Sequence, residues 1–441
     1  MKKKFSYSAI RLFGHSFRQA WNLLRQEKLF STIYILGTGL SITMVMTLSI
    51  VFYIRIADIY PETNRDRMLI VKRVMEKYGN GSSSGSLSLP FVEACFMSLE
   101  SAEATAVVYN RWNVNHRIQP EGSREQWPVA VQYVDTGYWR VFAFRFVDGS
   151  PFTATDFLSG IHTAVIAESL ARRLFGTAGA TGRYVSVNFS PYRICGVVRD
   201  VSLVTERTYA QLWMPCTVAP DYRSSHSENG AVGRMEAYIL APSARDVEKV
   251  RTEALERFRR YAGQFDEIEL SIFGQPDRHW QSLFRSLSNA EIDFTRIAIQ
   301  YGLILLILLL VPAISLSGMA DSRMERRLAE MGVRRAFGAP RGVLMRQIVV
   351  ENFLFTLLGG IVGLLMSYVL ILFSSDWIMT LGQKYIDIPP EGTVAVFTPP
   401  MLLNLPVFGI ALAVCLLLNL MSSLLPAWKA SRREIVYSIN S

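Results

Sequence analysis

Four stretches of this chain, residues 30–54, 297–320, 352–375 and 401–425, run without one charged side chain. Each reaches the roughly 18–20 apolar residues that a helix needs to cross a bilayer. Half of the 441 residues are hydrophobic, and they are clustered rather than spread along the chain. Clustering of that kind points to membrane spans rather than to several soluble domains. We expect four transmembrane helices at 30–56, 296–320, 347–375 and 401–426.

The basic residues orient these spans. They gather before the first (Lys2, Lys3, Lys4, Arg11, Arg18, Arg25, Lys28), between the second and third (Arg323, Arg326, Arg327, Arg334, Arg335, Arg341, Arg346), and after the fourth (Lys429, Arg432, Arg433). Lys and Arg cross the bilayer poorly during insertion. Segments 1–29, 321–346 and 427–441 are therefore expected in the cytoplasm, and 57–295 and the short loop 376–400 outside. The net charge of +9 thus belongs to the span flanks, while the external segment is close to neutral, which argues against nucleic-acid binding. The apolar core of the first span exceeds a secretory h-region of about 7–15 residues, so it reads as a retained anchor. Ahead of it, Ile10, Phe13, Phe17, Trp21 and Leu24 recur at helical spacing, as in an amphipathic helix lying in the inner interface with membrane lipids as its partner.

The external segment reads as α/β. A β-like run at 67–74, a Ser/Gly loop at 79–89, a short helix at 90–99 and a strand at 104–109 form one unit. A strand at 235–240, a helix at 246–261 and a strand at 268–273 form a second. These are expected to be halves of one α/β subdomain, about 60–118 and 216–290, interrupted by a mostly β subdomain at about 119–215 that holds a helix at 168–175. Cys95, Cys195 and Cys216 form an odd external set without a Cys-x-x-Cys spacing, which reads as buried thiols and leaves one disulfide open. The five histidines are dispersed, and no nucleophile elbow is present. We therefore expect no catalytic residues, no metal and no cofactor, with the scattered external Asp and Glu playing ordinary roles. A phosphate-binding loop needs a Gly-Lys pair, and none occurs.

Several motifs then follow in order: Asp-Thr-Gly-Tyr-Trp-Arg-Val-Phe from Asp135, Phe-Val-Asp-Gly-Ser-Pro-Phe from Phe146, the run Ala164 to Gly176, and Tyr-Arg-Ile-Cys-Gly-Val-Val-Arg-Asp from Tyr192. This succession resembles the external domain of MacB-type permeases. The run Ala329 to Ala339 and the ending Pro426 to Ser431 are similar to the C-terminal membrane module of the FtsX-like permease superfamily. The resemblance implies a multi-pass subunit of the bacterial inner membrane with N- and C-termini in the cytoplasm. It also implies a separate cytoplasmic ABC ATPase, a second copy or related permease subunit, and a periplasmic adaptor or outer-membrane partner.

In a helical 321–346 loop, Arg323, Arg327, Glu330 and Arg334 share one stripe, and Ala329, Val333 and Ala336 share another. The resemblance makes this the ATPase-coupling element, with Arg323, Arg327, Glu330, Arg334 and Arg335 as contacts and Gly338 ending the helix. Gly359, Gly360 and Gly363 supply a small-residue seam for packing within the subunit or between two copies. Glu351 is expected to snorkel or to pair with Arg346. The function so implied is ATP-driven movement of the external domain, of the mechanotransmission type, for export or extraction of a lipoprotein, peptide or drug. The alternative is transmembrane signalling that activates a cell-wall hydrolase or sensor kinase without moving cargo.

Overall fold

The computed structural model of the protein describes residues 28–110, 116–224, 230–285, 290–304, 306–308 and 341–380, with scattered positions between 405 and 420. They fall into two compact units, parted between Phe52 and Tyr53, between Asp293 and Phe294 and between Ser375 and Asp376. The amphipathic reading of 1–29 falls almost wholly outside the described residues.

In the first unit, two helices are long and apolar enough to cross a membrane, Ser31–Ile56 and Val349–Phe373, and a shorter apolar helix covers Phe294–Leu308. The first belongs to a helix running Lys28–Ile56. The second belongs to a helix running Arg341–Thr380, longer at both ends than the span expected at 347–375. Residues 341–346 and 376–380, expected in loops, are thus helical; they hold no glycine after Gly342 and no proline to stop the turn.

The second unit holds sixteen described strands in one continuous sheet. At the centre of its first half, Met235–Leu240 lies antiparallel between Met68–Val71 and Ala104–Tyr109. Helices Leu89–Cys95 and Val247–Ala262 pack together on this half, with Phe91 edge-on to Phe258 and Tyr261 at 6.1 and 5.2 Å between ring centroids. The Ser88 hydroxyl caps the shorter helix by accepting from Phe91 N–H. The Ser/Gly run expected as a loop is instead the strand Gly81–Leu87, paired through Gly81 to Gly85 with Val74–Tyr78. Serine and glycine carry little strand preference, so its order comes from the partner strand, which supplies the ladder hydrogen bonds.

The sheet passes into the inserted subdomain through Val108↔Val134, where Ala104–Tyr109 meets Val131–Val134. It continues through Leu212–Pro215, Thr163–Ala167 and Ser190–Val198 to Tyr184–Val187 and His116–Pro120. His116–Pro120 therefore belongs with the insert, slightly before the boundary expected at 118/119. The expected helix at 168–175 is present as Glu168–Phe175, ending on Gly176 in the left-handed region. One apolar core underlies both halves of the sheet. Its largest members include Trp213, Tyr109, Tyr138 and Tyr238, and Trp213 sits 5.3 Å from Phe144 between ring centroids.

Because Trp213 is fully buried, Trp213→Ala should destabilise the external unit by about 3–5 kcal/mol. Phe189→Ser, at an 85% exposed hairpin tip, should change stability by less than about 0.5 kcal/mol. Urea unfolding of the two variants checks both values.

Candidate functional site

Within the membrane-type unit, the first helix and Arg341–Thr380 touch through glycine. A Cβ added at Gly363 would lie 2.6 Å from the Gly39 carbonyl oxygen, and one at Gly359 would lie 2.8 Å from Thr38 Cβ. No side chain larger than hydrogen fits either place. The close approach lets the Thr43 hydroxyl donate to the carbonyls of Gly39 and Gly363 at 2.8 and 3.2 Å. Toward the other end, the Tyr34 hydroxyl donates to Asn352 Oδ1 at 3.3 Å, and its ring lies 5.1 Å from that of Phe355. Of the three seam glycines, Gly359 and Gly363 thus face the first helix, while Gly360 faces Leu412. Glu351 is buried rather than snorkelling, at 3% exposure; the side chain of Arg346 lies outside the described residues. So do Arg323, Arg327, Glu330, Arg334, Arg335 and Gly338.

The external unit begins with a buried polar cluster that the sequence did not announce. The last carbonyls of a helix have no partner within it. Here Arg65 Nη1 donates to the carbonyls of Ile54 and Ala57 at 2.9 and 2.6 Å, while Arg65 Nε and Nη2 bind Glu62 Oε2 at 2.9 and 2.8 Å. A cation at that end also matches the negative pole of the helix. Glu62 Oε1 accepts from the Thr208 hydroxyl at 3.0 Å, and His279 Nε2 lies 3.6 Å from Oε2. Behind them, Arg207 Nη2 donates to Ser282 Oγ, whose hydroxyl donates to the His279 carbonyl. Burial pushes the Glu62 carboxyl up, but Arg65, His279 and Arg207 outweigh it and hold it at about 2. For His279, burial dominates, aided by Arg207 and Arg65 against the Glu62 hydrogen bond, and brings the imidazole down to about 4. The pair is therefore carboxylate and neutral imidazole at pH 7. Glu62 is not an ordinary exposed acid, contrary to expectation. Its position straight after an apolar span, three residues before Arg65, was the available signal.

Other buried groups serve the scaffold. Glu76 accepts from the N–H groups of Ala231 and Val232. Asp135 accepts from Tyr138 N–H at 2.9 Å, and burial raises its carboxyl to about 7. Cys95, Cys195 and Cys216 are free thiols, and burial raises all three. No group of three or more His, Cys, Asp or Glu suited to a metal occurs among the described residues.

Comparison with known proteins places these elements. Residues 31–257 match the MacB-like periplasmic core domain, and 302–435 match the FtsX-like permease C-terminal domain. The ABC transporter permease YknZ of Bacillus subtilis (strain 168) is 25% identical over 244 residues, covering 55% of this chain and 57% of YknZ. The macrolide export ATP-binding/permease protein MacB of Chromobacterium violaceum is 23% identical over 291 residues, covering 65% of this chain and 41% of that protein. The chain thus spans about half the length of these relatives. Among solved structures, the periplasmic region of MacB from Actinobacillus actinomycetemcomitans matches with a TM-score of 0.32 at 14% identity, over 49% of this chain and 94% of that one.

Gly363→Val should destabilise the helix pair and lower the thermal midpoint of the detergent-solubilised protein. Gly409→Val, with open space around its Cβ position, should not. The cluster also carries a pH signature. His279 has a folded pKa below the usual 6.5, so its contribution is present above pH 6.5 and is lost as pH falls toward 4. Glu62 acts in the same direction between 4.5 and about 2. Asp135 opposes both, since its raised pKa gives stability below 3.8 that is lost as pH rises through about 7. Relative to His279→Gln, the wild type should therefore lose roughly 3 kcal/mol between pH 6.5 and 4, read from urea unfolding at each pH.

Proposed function

The chain belongs to the family of MacB-like and FtsX-like ABC transporter permeases, and on that premise we propose that it is a permease subunit of the mechanotransmission type. A separate cytoplasmic ATPase binds the 321–346 loop through Arg334, Arg335 and Glu330, with Arg323 and Arg327 along the same stripe. Four spans carry the motion outward, with the second at 296–320 and the fourth at 401–426. The subunit works with a second copy or a related permease in the bacterial inner membrane, both termini in the cytoplasm. The moving external domain acts on an envelope substrate, a lipoprotein, peptide or drug, together with a periplasmic adaptor or outer-membrane partner.

The observation that carries this reading is the order of parts. Residues 321–340 of the 321–346 segment lie inside the matched permease domain, between the apolar helix that begins at Phe294 and the long helix Arg341–Thr380. The arginines of this segment are the largest concentration of charge in the sequence of that domain and suit an acidic surface on a soluble partner. The close glycine seam supports the mechanical part of the reading. Two helices held backbone to backbone move as one body, because a packed contact of that kind has little room to slide.

The tagged protein purified from its native membrane in mild detergent should bring down a nucleotide-binding subunit and hydrolyse ATP. A variant carrying Arg334→Glu and Arg335→Glu should lose the ATPase and at least about tenfold of the activity, since reversing two contact charges costs over roughly 1.4 kcal/mol. Recovery of an envelope hydrolase or kinase with no ATPase, even after cross-linking, would replace this reading with signalling.

A further inference from the structure

The segment 58–65 leaves the first helix and leads to the strand Met68–Val71, yet most of its polar contacts lie elsewhere. The Tyr60 hydroxyl accepts from Arg145 N–H at 3.1 Å and donates to the Arg199 carbonyl at 3.4 Å. The Pro61 carbonyl accepts from Ala143 N–H at 2.9 Å, and Asn64 Nδ2 donates to the Val141 carbonyl at 3.3 Å. Glu62 holds the Thr208 hydroxyl at 3.0 Å. All five partners lie in the inserted subdomain or at its junction with the first half of the sheet. Arg207 and Thr208 stand in the loop that joins Ser190–Val198 to Leu212–Pro215. The same Glu62 is reached by His279, shortly before the chain leaves the external unit at Asp293.

A buried ion pair is a poor way to gain stability. Desolvation offsets most of its attraction, and an apolar pair of similar volume often does as well or better. What the pair adds is register. Arg65 is satisfied only when the carbonyls of Ile54 and Ala57 and the Glu62 carboxylate are all in place. Glu62 in turn is satisfied only with Arg65 and Thr208. Parting the last helical turn from the 199–208 loop therefore breaks the Thr208–Glu62 hydrogen bond and leaves a buried carboxylate oxygen without that donor.

We propose that the segment 58–65, centred on Arg65, Glu62 and Thr208, is the drive linkage of the external domain: it locks the outer end of the first helix to the inserted subdomain, so that a displaced helix moves the insert. The linkage rests on the permease reading for its source of motion, and on the contacts above for its path. Arg65, Glu62 and Thr208 are positioning residues; none need touch a substrate. Tyr60 and Asn64 steady the segment on either side.

The test uses the full chain in lipid nanodiscs, with all four cysteines replaced and spin labels at Ile56→Cys and Leu158→Cys, both exposed positions. A second pair at Leu158→Cys and Tyr184→Cys lies within the insert and serves as control. In Thr208→Val, and in the neutral double variant Glu62→Gln with Arg65→Met, the 56–158 distance distribution should broaden by about twofold while the 158–184 distribution stays as in wild type. Unchanged 56–158 widths in the folded variants overturn the linkage. Thr208→Val creates no unpaired charge, so it decides the matter if the double variant does not fold. Where the co-purified ATPase is present, both variants should keep ATP turnover within about twofold but lose nucleotide-dependent movement of the insert. Movement retained in the variants also overturns the linkage. If wild type recruits no ATPase, the permease reading fails, and the nucleotide-free widths alone judge the linkage.

Discussion

The outer end of the first helix presents carbonyl groups that have no partner within the helix, at a point where the chain has just left an apolar span. Arg65 answers that need, and nearly everything at the base of the external unit follows from it. A buried guanidinium requires an anion, which Glu62 supplies from three residues away. A buried carboxylate requires more donors than one arginine offers, and Thr208 and His279 complete its surroundings. One unsatisfied helix end thus gathers the helix, the loop of the insert and the return segment into a single cluster.

A similar economy holds in the membrane-type unit, where the driving force is different. Apolar side chains gain nothing there by leaving lipid, so helices associate through close packing and a few hydrogen bonds. Gly39, Gly359 and Gly363 remove the side chains between two backbones, and Thr43 uses the gap to bond both helices. The two devices are complementary. Glycine contact brings two helix backbones together, and an ion cluster satisfies a helix end.

How much of this could be read in the sequence varies with the range of the interaction. The strands Ala104–Tyr109 and Met235–Leu240 and the helix Glu168–Phe175 were legible because each carries its own periodicity and punctuation. Gly81–Leu87 was not, because its serines and glycines are ordered by Val74–Tyr78 rather than by their own preference. The seam glycines were visible as a spacing, although only the structure gives Gly359 and Gly363 to the first helix and Gly360 to Leu412. The Glu62 cluster was invisible as a unit. Its members come from three distant parts of the chain, and none carries a motif; His279 looked like one of five scattered histidines until folding set it 3.6 Å from a carboxylate.

On the proposed function, a cytoplasmic motor moves the external unit through the spans. The most direct measurement is hydrogen–deuterium exchange on the purified permease with its co-isolated ATPase, comparing nucleotide-free protein with protein trapped by ADP and vanadate. Exchange should change in the 199–208 loop and in the segment 58–65, far from the nucleotide, and the change should vanish when the ATPase is removed. Steady ATP turnover with identical exchange in both segments would contradict it.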